Sequence, residues 1–176
     1  MSRRMVTSAT RSLLMVGLAL LAACAGHPVH ENGSRPALAM LPPRAPSAAN
    51  AQRANDILFR AMGLVGTPYR WGGNTPEGGF DCSGLVDYVY RQSVDIRLPH
   101  NAREMAASGR TIARMAELAS GDLVFFTGRS GIEHVGVYVG QGRFVHAPNS
   151  GGTVRLDDLS GSYWREHFAY GKRLLD

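Results

Sequence analysis

Cysteine is scarce in this chain: 176 residues hold only Cys24 and Cys82. A disulfide framework of the small secreted kind is therefore excluded, and no Cys-x-x-Cys or His-x-x-x-His spacing marks a zinc site. Lysine is scarcer still, one residue against eighteen arginines, a bias we read as genomic composition. No apolar run reaches the ~20 residues that a membrane-spanning helix needs. The longest, Leu13 to Leu21, follows Arg3, Arg4 and Arg11 and reads as a secretory signal. The formal charge of +5 shrinks once these three arginines are set aside, leaving 16 basic side chains against 14 acidic ones. With no stripe of interleaved basic and aromatic residues either, nucleic-acid binding is excluded as a function class.

What the chain does have is one glycine-rich stretch, Gly66-Thr-Pro-Tyr69-Arg-Trp71-Gly-Gly73, which continues through Gly78-Gly79-Phe80 to Asp81-Cys82-Ser83-Gly84-Leu85. Glycine and proline supply turns, and an apolar pattern at helical spacing (Leu85, Val86, Val89, Tyr90) starts directly after the cysteine. Cys82 is thus expected to open a helix. Unpaired N–H groups and the helix dipole at such a position favour a thiolate, which lowers a thiol pKa from ~8.5 into the range ~3.5 to 7.5. The alternative is an inert buried cysteine.

His134 opens the alternating run His134 to Val139, and His146 ends Gly142-Arg-Phe-Val-His146. Together they read as a β-hairpin. A nucleophile, a base and a polar group that orients the base form the logic of a cysteine triad, and these three residue types are present. Strand parity tests the idea. A two-residue loop at Gly140-Gln141 places the two histidines on opposite faces, whereas a three-residue loop Gly140-Gln-Gly142 pairs Val139 with Arg143 and sets Gly136 opposite His146. The second arrangement makes the histidines diagonal neighbours on one face, and we expect it, with both rings turned toward the start of the Cys82 helix.

The segments Gly66 to Gly73, Asp81-Cys-Ser-Gly-Leu85, Gly121-Asp-Leu-Val-Phe-Phe126, His134 to Gly140 and Phe144-Val-His-Ala147, in this order, resemble the NlpC family of bacterial cell-wall cysteine peptidases. The resemblance implies a papain-like core and hydrolysis of a peptidoglycan stem peptide, most typically between D-glutamate, through its γ-carboxyl, and a diamino acid. It implies Cys82 as nucleophile, His134 as base and His146 as its orienting partner, acting without a cofactor. Tyr69 takes the place of a tyrosine thought to position substrate and stabilise the oxyanion. Asp81 and Ser83 would line a pocket for a free amino group of the peptide, or else cap the helix. Trp71 either lines the groove or packs, and we expect packing. One departure is visible: the family's Ser-x-x-Gln after Leu-Pro is replaced in Leu98-Pro99-His-Asn-Ala102-Arg-Glu-Met105 by Ala and Met.

At the amino end, Leu21-Ala22-Ala23-Cys24 resembles a bacterial lipobox, which implies a signal peptide over 1–23 and a lipid on Cys24. Ser2-Arg3-Arg4 is a poor match to a twin-arginine signal. Ala25 after the cysteine does not resemble an inner-membrane retention signal, so in a two-membrane bacterium the inner face of the outer membrane is expected. Residues 24–49 are rich in Ala, Pro, Ser and Arg and read as a tether, able to extend to about 75 Å; His27 and His30 within it are read as solvated.

The folded domain is expected over 50–176. The stripe Ala54, Leu58, Ala61, Val65 predicts a first helix, residues 82–92 a second, and 102–108 a third capped by Asn101. Strands are expected at 122–127, 134–139, 142–147, 152–156 and 168–174, with a helical turn near 157–165. Helices first and a mostly antiparallel sheet second define an α+β class. Three other readings stand beside the endopeptidase: an amidase or acyltransferase on the same fold, a non-catalytic wall-binding lipoprotein, and a metal site formed by Cys82, His134 and His146.

Overall fold

The computed structural model describes residues 47–149 and 152–175. The expected signal peptide, Cys24 and nearly all of the tether lie outside these residues. Helix α1 spans Ala48–Gly63, beginning two residues before the expected domain boundary because the Ser47 hydroxyl accepts from the Asn50 N–H at 3.2 Å. Its buried stripe is Ile57, Ala61 and Leu64. Of the expected stripe, Ala61 is fully buried and Ala54 and Leu58 are half-buried, with Ile57 taking the deepest place; Val65 lies beyond the end of the helix and is 44% exposed.

Strands β1 (Asn74–Thr75) and β2 (Gly79–Phe80) form a small antiparallel hairpin that delivers the chain to α2 (Cys82–Val94). Asp81 caps α2, its carboxylate accepting from the Gly84 N–H at 2.7 Å. Leu85, Val86, Val89 and Tyr90 are fully buried, as the apolar spacing predicts, each contributing about 1.5–3 kcal/mol of transfer free energy. The Tyr90 hydroxyl donates to the Gly121 carbonyl and ties α2 to the start of the sheet. Helix α3 is the short segment Ala102–Met105, capped by Asn101; the chain then continues in tight turns to Gly109, at φ 71°.

The main sheet has six strands, every pair antiparallel, in the order β3 (Arg110–Ile112), β8 (Phe168–Arg173), β4 (Leu123–Gly128), β5 (Gly131–Gly140), β6 (Arg143–His146), β7 (Arg155–Asp158). A 3-10 turn, Met115–Glu117, follows β3, and helix α4 (Ser162–His167) precedes β8. One face carries Leu123, Phe125, Val135, Val137 and Val145 against α1 and α2. The other carries Val124, Phe126, Tyr138 and Phe144 under Trp164 and Phe168.

Three elements differ from the sequence reading. Strand β3 and the β1–β2 hairpin are too short to carry a period. The strand expected at 152–156 divides: Val154 exchanges hydrogen bonds with the 66–67 loop (Gly66 N–H to Val154 O 2.8 Å, Val154 N–H to Thr67 O 2.7 Å), and only residues 155–158 pair with β6. Asp157, expected in a helical turn, is therefore a strand residue.

Candidate active site

The β5–β6 hairpin solves the parity problem in an unexpected way. Its loop is two residues, Gln141 and Gly142, both at positive φ (53° and 75°), and Gly140 pairs with Arg143. The expected three-residue loop and Val139–Arg143 pair are not formed. Instead the register shifts between Tyr138 and Gly140, leaving Val139 as a bulge that supplies the odd residue. Below the bulge Val137 pairs with Val145, so Gly136 faces His146 as expected. A Cβ on Gly136 would lie 3.2 Å from His146 Cβ and 2.8 Å from Phe144 Cδ2. Glycine there leaves the space in which the imidazole of His146 sits.

His134 and His146 consequently share a face, and His134 Nε2 lies 2.8 Å from His146 Nδ1. His146 is fully buried, and its Nε2 meets Asp157 Oδ2 at 3.0 Å. The same oxygen accepts from Trp164 Nε1 (2.9 Å) and from Arg155 Nε and Nη2 (3.1 and 2.8 Å). Burial alone would raise the Asp157 pKa, but these donors outweigh it and hold the group below the ordinary carboxylate range. A carboxylate can only accept, so His146 Nε2 carries a proton and donates it. Burial lowers the His146 pKa to about 4, so the ring is neutral and its Nδ1 is an acceptor. His134 Nε2 then donates to it, and His134 Nδ1, which makes no hydrogen bond among the described residues, is left bare. Burial and the neighbouring His146 lower His134 to about 3, so it too is neutral. Asp157 thus selects, through two rings, the tautomer in which His134 can accept a proton.

The rings pack against Trp164 and Phe144. His134 lines the same pocket as Cys82, the first residue of α2, whereas His146 does not reach it. This cavity of about 620 Å³ is lined by Tyr69, Trp71, Asp81, Cys82, Ser83 and His134 among others, so five of the six predicted catalytic and substrate residues share one pocket. His146 stands behind the pocket wall. Among the described residues no hydrogen bond joins the Cys82 sulfur to His134; the thiol faces the backbone N–H groups of Val135, Ser83 and Cys82 itself. These lower its pKa, but burial, followed by the Asp81 carboxylate, pushes it up to about 11. The thiolate expected from the helix N-terminus is outweighed, and the resting pair is neutral thiol beside neutral imidazole.

Tyr69, half-buried on the pocket wall, makes no side-chain hydrogen bond among the described residues. Burial, Asp81 and Cys82 raise its pKa, so the phenol keeps its proton as a free donor. Together with the first N–H groups of α2 it can serve an oxyanion. Trp71 is 85% exposed at the pocket rim, which overturns the packing expectation. Because His134 and His146 direct nitrogens at one another, the metal alternative lacks a donor set; among the described residues no group of three or more His, Cys, Asp and Glu could hold a metal. Asp157, Trp164 and His100 were not singled out from sequence. The one available signal for Asp157 was Arg155-Leu-Asp157, a same-face pair if the segment is a strand.

The fold and this site define a papain-like cysteine-hydrolase domain. Residues 66–173 match the NlpC/P60 family, and the chain belongs to it. It is 44% identical over 132 residues to the murein DD-endopeptidase MepH of Escherichia coli K12, covering 72% of this chain and 48% of that protein. Identity to the gamma-DL-glutamyl hydrolase of Bacillus subtilis 168 is 45% over 111 residues, 62% of this chain and 26% of that one. The chain thus spans about half or less of the length of these relatives. The solved peptidoglycan hydrolase RipB of Mycobacterium tuberculosis superposes with a TM-score of 0.63 at 30% identity, covering 76% of this chain and 70% of that one.

Proposed function

We propose that the protein is an endopeptidase of peptidoglycan stem peptides, acting at a γ-D-glutamyl–diamino acid bond through a thioester acyl-enzyme. The observation that carries this reading is the Asp157–His146–His134 relay, which leaves one bare imidazole nitrogen at the pocket that holds Cys82. As the thiol sulfur bonds to the substrate carbonyl carbon, its proton passes to His134 Nδ1 and the oxyanion is met by Tyr69 and the α2 N-terminus. Collapse of the tetrahedral species breaks the C–N bond, and His134 returns the proton to the departing amine. Water then attacks the thioester, giving up its proton by way of His134 and regenerating the thiol.

The name of the gamma-DL-glutamyl hydrolase supports this bond, whereas that of MepH favours a second reading, a D,D bond of the cross-link. Incubation of the purified chain with defined wall peptides, followed by mass spectrometry, separates the two. New termini between glutamate and the diamino acid are expected; new termini at a D,D bond select the second reading, and free sugar ends or intact peptides refute both. We further propose export and lipidation at Cys24, supported by the apolar run and Leu21-Ala22-Ala23-Cys24. Among the described residues no helix is long and apolar enough to cross a membrane. Cys24→Ser should abolish incorporation of labelled fatty acid, and label retained in that variant refutes the anchor.

A further inference from the structure

The carboxylate of Asp81 lines the pocket, where it is a potential counter-ion for a substrate cation. It has no acceptor site to offer. Oδ1 takes the Gly84 N–H at 2.7 Å and the Ser83 hydroxyl at 3.0 Å, and Oδ2 takes the Gly72 N–H at 3.0 Å. His100 Nε2 then bridges both oxygens at 2.9 and 3.0 Å. A carboxylate has about four lone-pair sites, and four donors fill them. Three of these donors come from the turn and helix that shape the site itself. His100 is the only one brought from elsewhere, from the loop between α2 and α3, and Gly84 makes room for it: a Cβ there would sit 2.9 Å from His100 Nε2.

We propose that His100 is a specificity-determining residue: by occupying the Asp81 carboxylate it closes this part of the pocket to a free amino terminus, so that the site takes peptides whose amino end is acylated. The inference rests on the stem-peptide reading and specifies which form of the stem is bound, the one still joined to its sugar through an amide. An ammonium entering this pocket would lose water and gain no carboxylate partner, whereas an amide loses far less. The other carboxylates lining the pocket do not replace Asp81. Glu133 and Glu104 are both exposed, where an ion pair contributes little.

The test measures binding, which does not depend on the bond cleaved. The full chain carrying Cys82→Ala is titrated calorimetrically with L-Ala-γ-D-Glu-diaminopimelate bearing a free or an acetylated amino end. The acetylated peptide should bind more tightly. His100→Ala, added to the same background, should improve binding of the free-amine peptide by about twofold to fivefold, the effect of one partly exposed ion pair, with the acetylated peptide unchanged. His100→Gln, which keeps a donor, should restore the original preference, and this separates occupation of Asp81 from general disturbance of the loop. Tighter binding of the free-amine peptide to the parent, or an unchanged ratio in His100→Ala, overturns the proposal while leaving the stem-peptide reading intact. Failure of both peptides to bind overturns both.

Discussion

Replacing Asp157 by asparagine removes a charge and no volume, and the relay specifies what that should do. The Oδ2 atom anchors His146 Nε2–H at 3.0 Å, and a hydrogen bond to a charged acceptor contributes about 1.5–3 kcal/mol. The donors Trp164 and Arg155 would keep the amide oxygen in its place, but an uncharged oxygen shared among four donors holds His146 Nε2–H less firmly, so the ring is less strictly kept in the form protonated on Nε2. When His146 carries its proton on Nδ1, His134 Nε2 must accept it, the His134 proton moves to Nδ1, and the nitrogen that should receive the Cys82 proton is occupied. If that contribution of about 1.5–3 kcal/mol is lost from the transition state, the rate falls by about 10- to 150-fold. We expect Asp157→Asn to lower kcat by that factor. KM should stay within about twofold, because Asp157 does not line the substrate pocket.

Steady-state hydrolysis of the cleaved wall peptide measures the split. Nitrogen-15 spectra of the histidine rings give an independent readout: His134 should show a bare Nδ1 in the parent and mixed protonation in the variant. A folded Asp157→Asn protein with unchanged kcat and parental ring spectra would refute the tautomer relay. A rise in KM at constant kcat would do the same, since it would place Asp157 in substrate binding.

The buried, neutral histidines make stability fall with acid: their folded pKa lies below the unfolded value of about 6.5, so the unfolded chain gains protons first as pH drops below that value. For fully buried His146, lowered to about 4, this costs about 2 kcal/mol at pH 5 relative to neutrality, to be read from denaturant midpoints; equal midpoints at pH 5 and 7 count against it. Cys82, pushed up to about 11, should alkylate with a pH midpoint above that of an ordinary thiol at ~8.5, whereas a midpoint below 8 would restore the preformed thiolate. Gly136→Ala should cost about 1–3 kcal/mol by overpacking and should lower kcat through displacement of His146, both to be checked on one preparation; a variant with parental stability and kcat would show that the gap is not needed.

The chain was legible where local rules act and opaque where register decides. Asp81-Cys82-Ser83 and the apolar spacing after it located α2 and placed Cys82 at its start, because a cap and a helical stripe are properties of adjacent residues. The histidine pair was legible through parity, but for the wrong local reason: two positive-φ turn residues plus a bulge at Val139 count the same as a longer loop, and parity records only the count. Asp157 was hidden by the same dependence. Its place in the relay needs β6 and β7 in the register that pairs Phe144 with Asp157 and His146 with Arg155, and nothing within 155–158 encodes that pairing. Once the register is set, the relay follows from it. Asp157 is the diagonal neighbour of His146 across β7 and β6, and His134 is the diagonal neighbour of His146 across β6 and β5, so a proton preference fixed on one strand crosses to the third in two like steps. The thiol pKa reversed its expected sign for a related reason: the helix N-terminus was visible in the sequence, but the burial of Cys82 against β5 was not, and burial is the larger effect. A base held neutral with one bare nitrogen is suited to taking a proton during attack, the role proposed for His134.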